Sequence, residues 1–140
     1  MVTVDEIMTS SLFTLEADAS LLDLHTLMRE RNIRHVPVVA DGELLGIVSN
    51  RDLLSATPVT SEEKDSAYLN TKVSEVMQTG VETISPSMNV RVAALTLESH
   101  KIGCLPVVEN DKLTGIVTSS DFVAVAINLL EQLEFSEDFD

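Results

Sequence analysis

The chain states one pattern twice. Residues Val4–Leu54 lie on Val73–Val123 without a gap, at a constant offset of 69. Identities recur at Val4/Val73, Glu6/Glu75, Met8/Met77, Thr14/Thr83, Ile33/Ile102, Leu44/Leu113 and Asp52/Asp121. The densest matches set Pro37-Val38-Val39 on Pro106-Val107-Val108 and Gly46-Ile47-Val48 on Gly115-Ile116-Val117. An internal repeat constrains architecture before any single residue does. Two copies of one unit are expected to pack about a pseudo-two-fold axis, and a site built by one copy has a counterpart in the other.

With 140 residues in all, each repeat is near the size at which a core is barely sufficient. The two halves are therefore expected to share one core. The expected division is repeat 1 over 1–56, a connector over 57–72, repeat 2 over 73–126, and a helix end with an acidic tail over 127–140. The net charge of −14 is spread over both halves. A nucleic-acid binder needs a basic patch to displace counterions from phosphates, and nothing in the chain resembles one. Acidity of this kind favours solubility. Cys104 is the one cysteine, so an internal disulfide is excluded and a reducing cytoplasm is the expected compartment. The first residues, Met1-Val2-Thr3-Val4-Asp5-Glu6, lack the basic and apolar regions of a signal peptide. No apolar run has the length of a membrane span.

Each repeat reads as a short strand, a helix, two strands and a closing helix, an α/β (α+β) arrangement. Leu12-Phe13-Thr14-Leu15 reads as the first strand, followed by a turn over Glu16–Ala19. Ser20, and Asn89 in the second copy, stand where an N-cap belongs. Leu21, Leu24, Leu27 and Met28 follow at helical spacing, and Val90, Ala93 and Leu97 repeat the pattern. Val36-Pro37-Val38-Val39 and Leu44-Leu45-Gly46-Ile47-Val48 read as strands joined by an Asp41-Gly42 hairpin turn; Asn110-Asp111 is the weaker equivalent. Pro37 and Pro106 cannot donate to a ladder and are expected at an edge or a strand start. Residues 55–72, with Pro58, read as a polar loop containing a short helical piece. Phe122–Phe135 is apolar on nearly all sides and needs cover from more than one direction. Its own repeat and a second subunit are both open as the cover. The tail Ser136–Asp140 is expected to fray.

The two strand-to-helix junctions carry the chemistry. Gly46-Ile47-Val48-Ser49-Asn50-Arg51-Asp52 and Gly115-Ile116-Val117-Thr118-Ser119-Ser120-Asp121 share the form Gly-apolar-apolar-hydroxyl-x-x-Asp. The hydroxyl can cap the helix, whose free N–H groups favour an anion such as phosphate. The Asp, one turn in, can accept hydrogen bonds from a ribose diol. Ser/Thr-x-x-Asp is also an ordinary capping box. Two copies in register, each after a Pro-Val-Val strand, shift the balance towards a ligand.

The sequence resembles a tandem pair of cystathionine β-synthase-type (CBS) domains, a Bateman module. The resemblance rests on Val4-Asp5-Glu6-Ile7-Met8-Thr9 with Val73-Ser74-Glu75-Val76-Met77, on Arg34-His35-Val36-Pro37-Val38-Val39 with Leu105-Pro106-Val107-Val108, and on the two Gly…Ser/Thr-x-x-Asp segments. It covers nearly the whole chain. It implies regulation rather than catalysis, with an adenosine-containing ligand held in clefts between the repeats. AMP, ADP, ATP, S-adenosylmethionine and a dinucleotide all fit that expectation. Carried over by position, Asp52 and Asp121 hold ribose hydroxyls, and Ser49 and Thr118 meet ribose or phosphate. The main chain of His35, Val36 and Pro37, and of Cys104, Leu105 and Pro106, meets adenine. Segments near Ser10–Leu12 and Thr79–Val81 form the other wall of site 1 and site 2 respectively.

The two sites differ. Arg51 and Arg34-His35 at the first face Ser120 and Gly103-Cys104 at the matched places of the second. Arg presents a planar fork to phosphate, so the first site is expected to bind phosphate better unless Lys101 or Arg91 serves the second. Arg51 is otherwise an exposed helix residue. His25, His35 and His100 lack the spacing of a metal pair; His25 and His100 read as helix-surface residues. Cys104 reads as core, or as a redox sensor if Lys101 lowered its pKa. No nucleophile elbow, phosphate-binding glycine loop or paired catalytic carboxylate is present, so an enzyme is not expected. The leading reading is a free-standing regulatory module, a homodimer signalling through oligomer state or a protein effector. The alternative is an interaction protein of the same fold that has lost its ligand.

Overall fold

A computed structural model describes residues 1–56 and 66–138. In chain order the elements are a 3₁₀ turn (Val4–Glu6), β1 (Leu15–Glu16), α1 (Leu21–Arg31), β2 (His35–Ala40), β3 (Glu43–Ser49), α2 (Asn50–Ala56), α3 (Ser66–Leu69), a second 3₁₀ turn (Val73–Glu75), α4 (Val90–His100), β4 (Cys104–Glu109), β5 (Lys112–Thr118) and α5 (Ser119–Asp138).

Local chemistry sets these elements. Ser20 Oγ accepts from Asp23 N–H at 3.1 Å and its own N–H donates to Asp23 Oδ2 at 3.1 Å, a reciprocal box that starts α1. Asn89 Oδ1 accepts from Arg91 N–H at 2.7 Å at the start of α4. Both helices stop on a left-handed residue, Asn32 and Lys101. Each hairpin turns on two positive-φ residues, Asp41-Gly42 and Asn110-Asp111, the twist that two-residue turns require.

The compact units cut across the sequence repeats. One unit joins Met1–Ser11 to Thr83–Glu109 and Thr114–Asp140; the other holds Leu12–Glu82 with Asn110–Leu113. Each repeat body therefore takes its opening segment from the other repeat. In the unit built on repeat 1, Leu21 N–H donates to Thr71 O at 2.9 Å and Val73 N–H to Ala19 O at 2.8 Å. In the unit built on repeat 2 the matched bonds run from Val90 to Val2 at 3.0 Å and from Val4 to Met88 at 2.8 Å. The bridges Ile47↔Gln78 and Thr9↔Ile116 are exchanged in the same way.

Among the described residues two cores result instead of the single shared core expected. Leu21, Leu24, Met28, Val36, Val38, Val48 and Leu53 enclose Val73, with Tyr68, Val76 and Met77 packed against them. Ile84, Ala93, Leu97, Leu105, Val107 and Val117 enclose Val4, with Ile7, Met8 and Phe122 packed against them. Val4 and Val73 are both fully buried. The borrowed valine supplies apolar area that a bare repeat lacks.

Three expectations need correction. The first strand is only Leu15–Glu16, paired in parallel with Val38–Val39, because the chain turns at once, Ala19 N–H donating to Glu16 O at 3.0 Å. Pro37 is the third residue of β2, the middle strand of the sheet β1-β2-β3, and is fully buried. The matched Pro106 shows why this costs nothing: its C=O accepts from Ile84 at 3.0 Å, and the next donor to that neighbour is Val108 at 2.9 Å. The missing N–H thus falls where the short ladder has not begun. Finally, α5 runs without a break to Asp138, so the helix continues into the tail expected to fray from Ser136. The connector contains α3, while Pro58 and residues 57–65, like 139–140, lie outside the described residues.

From 126 to 136 every residue of α5 is exposed. Val123, Ile127, Leu129, Leu130, Leu133 and Phe135 each show 53–64 % of their surface. Among the described residues, the apolar side chains of the helix end thus stay largely open to solvent.

Candidate ligand site at the strand–helix junctions

At the end of β3, Ser49 N–H donates to Asp52 Oδ2 at 2.9 Å, Ser49 Oγ lies 2.9 Å from the same oxygen, and Asp52 N–H donates to Ser49 Oγ at 3.1 Å. This is the capping box, and it occupies one carboxylate oxygen. The other, Asp52 Oδ1, accepts from Gln78 Nε2 at 2.8 Å. Gln78 is carried there by the borrowed opening segment, whose main chain exchanges two hydrogen bonds with Ile47, at 3.0 and 2.9 Å.

The second junction repeats the design. Thr118 N–H donates to Asp121 Oδ2 at 2.8 Å, with Thr118 Oγ1 at 3.4 Å. Asp121 Oδ1 accepts from Thr9 Oγ1 at 3.0 Å, and Thr9 exchanges two main-chain bonds with Ile116. Thr9 and Gln78 are equivalent by the offset of 69.

The motif glycines make this approach possible. A Cβ on Gly46 would lie 2.5 Å from Gln78 O and 2.9 Å from Met77 Sδ. On Gly115 it would lie 2.5 Å from Met8 Sδ and 3.1 Å from Thr9 O. Neither glycine has a positive φ; space against the borrowed segment excludes a side chain here.

The structure brings Ser49, Asp52 and Gln78 together, with His35 near enough to feel the Asp52 charge. Burial lowers the His35 pKa, Asp52 opposes this, and Arg34 adds to it. The imidazole is therefore biased towards its neutral form, able to accept as well as donate. Asn50 N–H donates to Arg34 O at 2.8 Å, fixing the start of β2 beside the start of α2. Arg34 and Arg51 are exposed, and Val36 and Pro37 are buried. In the other unit, Asp121 and Thr118 sit with Thr9 and with Cys104, whose thiol pKa is pushed up to about 12 by burial and then by the Asp121 charge. That opposes a redox-sensor reading, which needs a thiolate. Leu105 and Pro106 are buried.

Ser10 belongs to the unit of Asp121, whereas Thr79 and Val81 belong to the unit of Asp52; Leu12 stays with Asp52. Thr9 and Gln78 were not picked out from sequence. Their signal is a polar residue at matched places directly after Met8 and Met77.

The CBS domain model matches residues 4–58 and 73–128. The chain belongs to the CBS domain family. Among solved structures, this CBS pair is similar to AcuB from Vibrio cholerae, named for acetoin utilization, at 46 % identity and a TM-score of 0.84, with 96 % of each chain covered. It is similar to CBSX2, solved in complex with AMP, at 29 % identity and a TM-score of 0.80, covering 92 % of this chain and 98 % of that one. It also resembles the CBS pair of protein MJ0100, solved with 5′-methylthioadenosine and S-adenosyl-L-methionine, at 25 % identity and a TM-score of 0.77, covering 91 % and 98 %. Among the described residues no helix is long and apolar enough to cross a membrane, and no group of three His, Cys, Asp or Glu is placed to hold a metal ion.

Proposed function

We propose that the chain is a regulatory module that binds an adenosine-containing ligand at the strand–helix junctions, with Asp52 and Asp121 receiving the ribose hydroxyls. The observation that carries this reading is the division of labour at each carboxylate. Oδ2 is held by the capping box, while Oδ1 faces out of the box and takes a side-chain donor from another segment. A ribose diol offers the same kind of donor. The AMP complex of CBSX2 and the adenosyl ligands of MJ0100 support this ligand class. Arg34 and Arg51 supply cationic donors at the first junction, against Gly103 and Ser120 at the second. The first junction is therefore the better site for a phosphorylated ligand.

The output passes through a second copy of the chain, a homodimer built on the exposed apolar face of α5. An apolar helix end of this length is marginal in water without tertiary cover, and a self-complementary face closes most simply as a two-fold dimer. A monomer in sedimentation at micromolar concentration would remove this step. The similarity to AcuB supports acetoin utilization as the setting, checked by growth of a deletion strain on acetoin.

Titration calorimetry with adenosine and AMP tests the site. Asp52→Ala is expected to weaken both ligands, because the carboxylate acts on the ribose. Arg51→Ala is expected to weaken AMP by about tenfold and adenosine little, since a hydrogen bond to a charged group contributes roughly 1.5–3 kcal/mol. Equal losses for adenosine and AMP in Arg51→Ala would refute the phosphate role. Full binding in Asp52→Ala with loss in Asp121→Ala would place the working site at the other junction.

A further inference from the structure

Resting on that ligand reading, we propose that Gln78 is a specificity-determining gate at Asp52, and that Thr9 is a fixed stop in the matching place at Asp121. The oxygen that a ribose hydroxyl needs is already engaged in both units. Gln78 Nε2 donates to Asp52 Oδ1 at 2.8 Å, and Thr9 Oγ1 donates to Asp121 Oδ1 at 3.0 Å. A diol entering either junction competes with that donor for the carboxylate.

The two competitors differ in how they can yield. Both residues have their main chain pinned, Gln78 to Ile47 and Thr9 to Ile116, by a pair of hydrogen bonds each. Only the side chain is left to move. Gln78 is exposed and carries its amide at the end of three rotatable bonds, so the amide can leave for water while the backbone bridge stays intact. Thr9 carries its hydroxyl on Cβ, whose place the pinned backbone fixes, and a β-branched side chain is stiff at its one torsion. Rotating the hydroxyl away leaves a methyl group or bare Cβ hydrogen near the carboxylate. Both hydrogen bonds are exposed, so the difference lies in reach: the Gln78 amide can leave Asp52, whereas the Thr9 hydroxyl stays beside Asp121. The unit holding Asp52 therefore admits a full ribose more readily than the unit holding Asp121, and Gln78 sets how strongly the diol must bind in order to enter.

The gate acts through the ribose hydroxyls, and this separates it from a general effect on the site. Calorimetry with adenosine and 2′,3′-dideoxyadenosine, on wild type, Gln78→Ala, Gln78→Thr and Asp52→Ala, reads it directly. Gln78→Ala removes the competitor and is expected to tighten adenosine by about three- to tenfold, the range that a typical net hydrogen bond represents when water can replace it. It is expected to leave dideoxyadenosine unchanged. Gln78→Thr installs the stop and is expected to weaken adenosine below wild type, with unchanged unfolding reported by Tyr68 fluorescence. Tighter adenosine in Gln78→Thr than in Gln78→Ala overturns the gate, as does weaker or equal adenosine binding in Gln78→Ala. An equal gain for dideoxyadenosine overturns it too. Loss of adenosine in Asp52→Ala without a gain in Gln78→Ala removes the gate and keeps the site. Unchanged adenosine binding in Asp52→Ala removes the gate, and it removes the site as well where Asp121→Ala also leaves binding unchanged.

Discussion

Replacing Gly46 by Ala tests the exchange of opening segments more sharply than any core truncation. The new methyl would sit 2.5 Å from the Gln78 carbonyl oxygen and 2.9 Å from Met77 Sδ. The thioether can swing aside, but the carbonyl cannot retreat alone. It accepts from Ile47 N–H at 3.0 Å, and Gln78 N–H donates back at 2.9 Å. Overpacking of this kind costs about 1–3 kcal/mol. Relief by moving the segment weakens two backbone bonds of about 0.5–1.5 kcal/mol each. With both costs borne, the expected loss of stability is about 2–6 kcal/mol, a large share of what a small unit has. The readout is built in. Tyr68 is the one tyrosine, tryptophan is absent, and Tyr68 packs against the core that encloses Val73. Urea unfolding followed by tyrosine fluorescence therefore reports this unit. A loss below about 1 kcal/mol would refute the close-approach argument. So would full rescue by Met77→Ala, which would show that the side chain, not the carbonyl, excludes a Cβ.

Two further predictions concern protonation. The Cys104 thiol, pushed up to about 12 by burial and the Asp121 charge, is expected to react with a disulfide reagent at pH 8 far more slowly in the folded protein than in urea; equal rates would show an accessible thiolate. His35 has a lowered pKa in the folded state, first from burial, so the unfolded chain takes up the proton first. Stability is expected to be fully present above the unfolded pKa of about 6.5 and to fall as pH drops through it. His35→Asn is expected to flatten the change in urea midpoint between pH 7.5 and 5.5; an unchanged slope in that variant would assign the effect to other groups.

What could be read from the sequence is what short-range physics decides. Ser20 and Asn89 cap helices because a side-chain oxygen beside free N–H groups has one good use. Asp41-Gly42 and Asn110-Asp111 turn because those residue types tolerate positive φ. The exchange of opening segments was not legible, and the repeat itself is the reason. Val4 and Val73 are the same residue in the same local pattern, so either fills either core equally well. Periodicity cannot tell a segment that packs on its own repeat from one that packs on the other. Gly46 and Gly115 held the missing clue. A glycine inside a strand, away from a turn, signals close approach of another backbone, and here that backbone is the borrowed segment.

The capping box and the proposed ligand site, set against each other in the sequence, draw on the two oxygens of one carboxylate. A carboxylate has two oxygens, and the box consumes only Oδ2. By fixing Asp52 and Asp121 through that oxygen, the box aims Oδ1 at the segment that carries residue 78 or 9. A carboxylate without the box would lose rotamer freedom on meeting a ligand; these have already lost it on folding. The same Ser/Thr-x-x-Asp spacing thus starts the helix and preorganises an acceptor. The borrowed segment then decides which donor that acceptor meets, and it decides differently in the two units because Thr9 and Gln78 differ. Where the repeats are identical the chain builds the same scaffold twice, and where they diverge the two scaffolds are free to serve different ends.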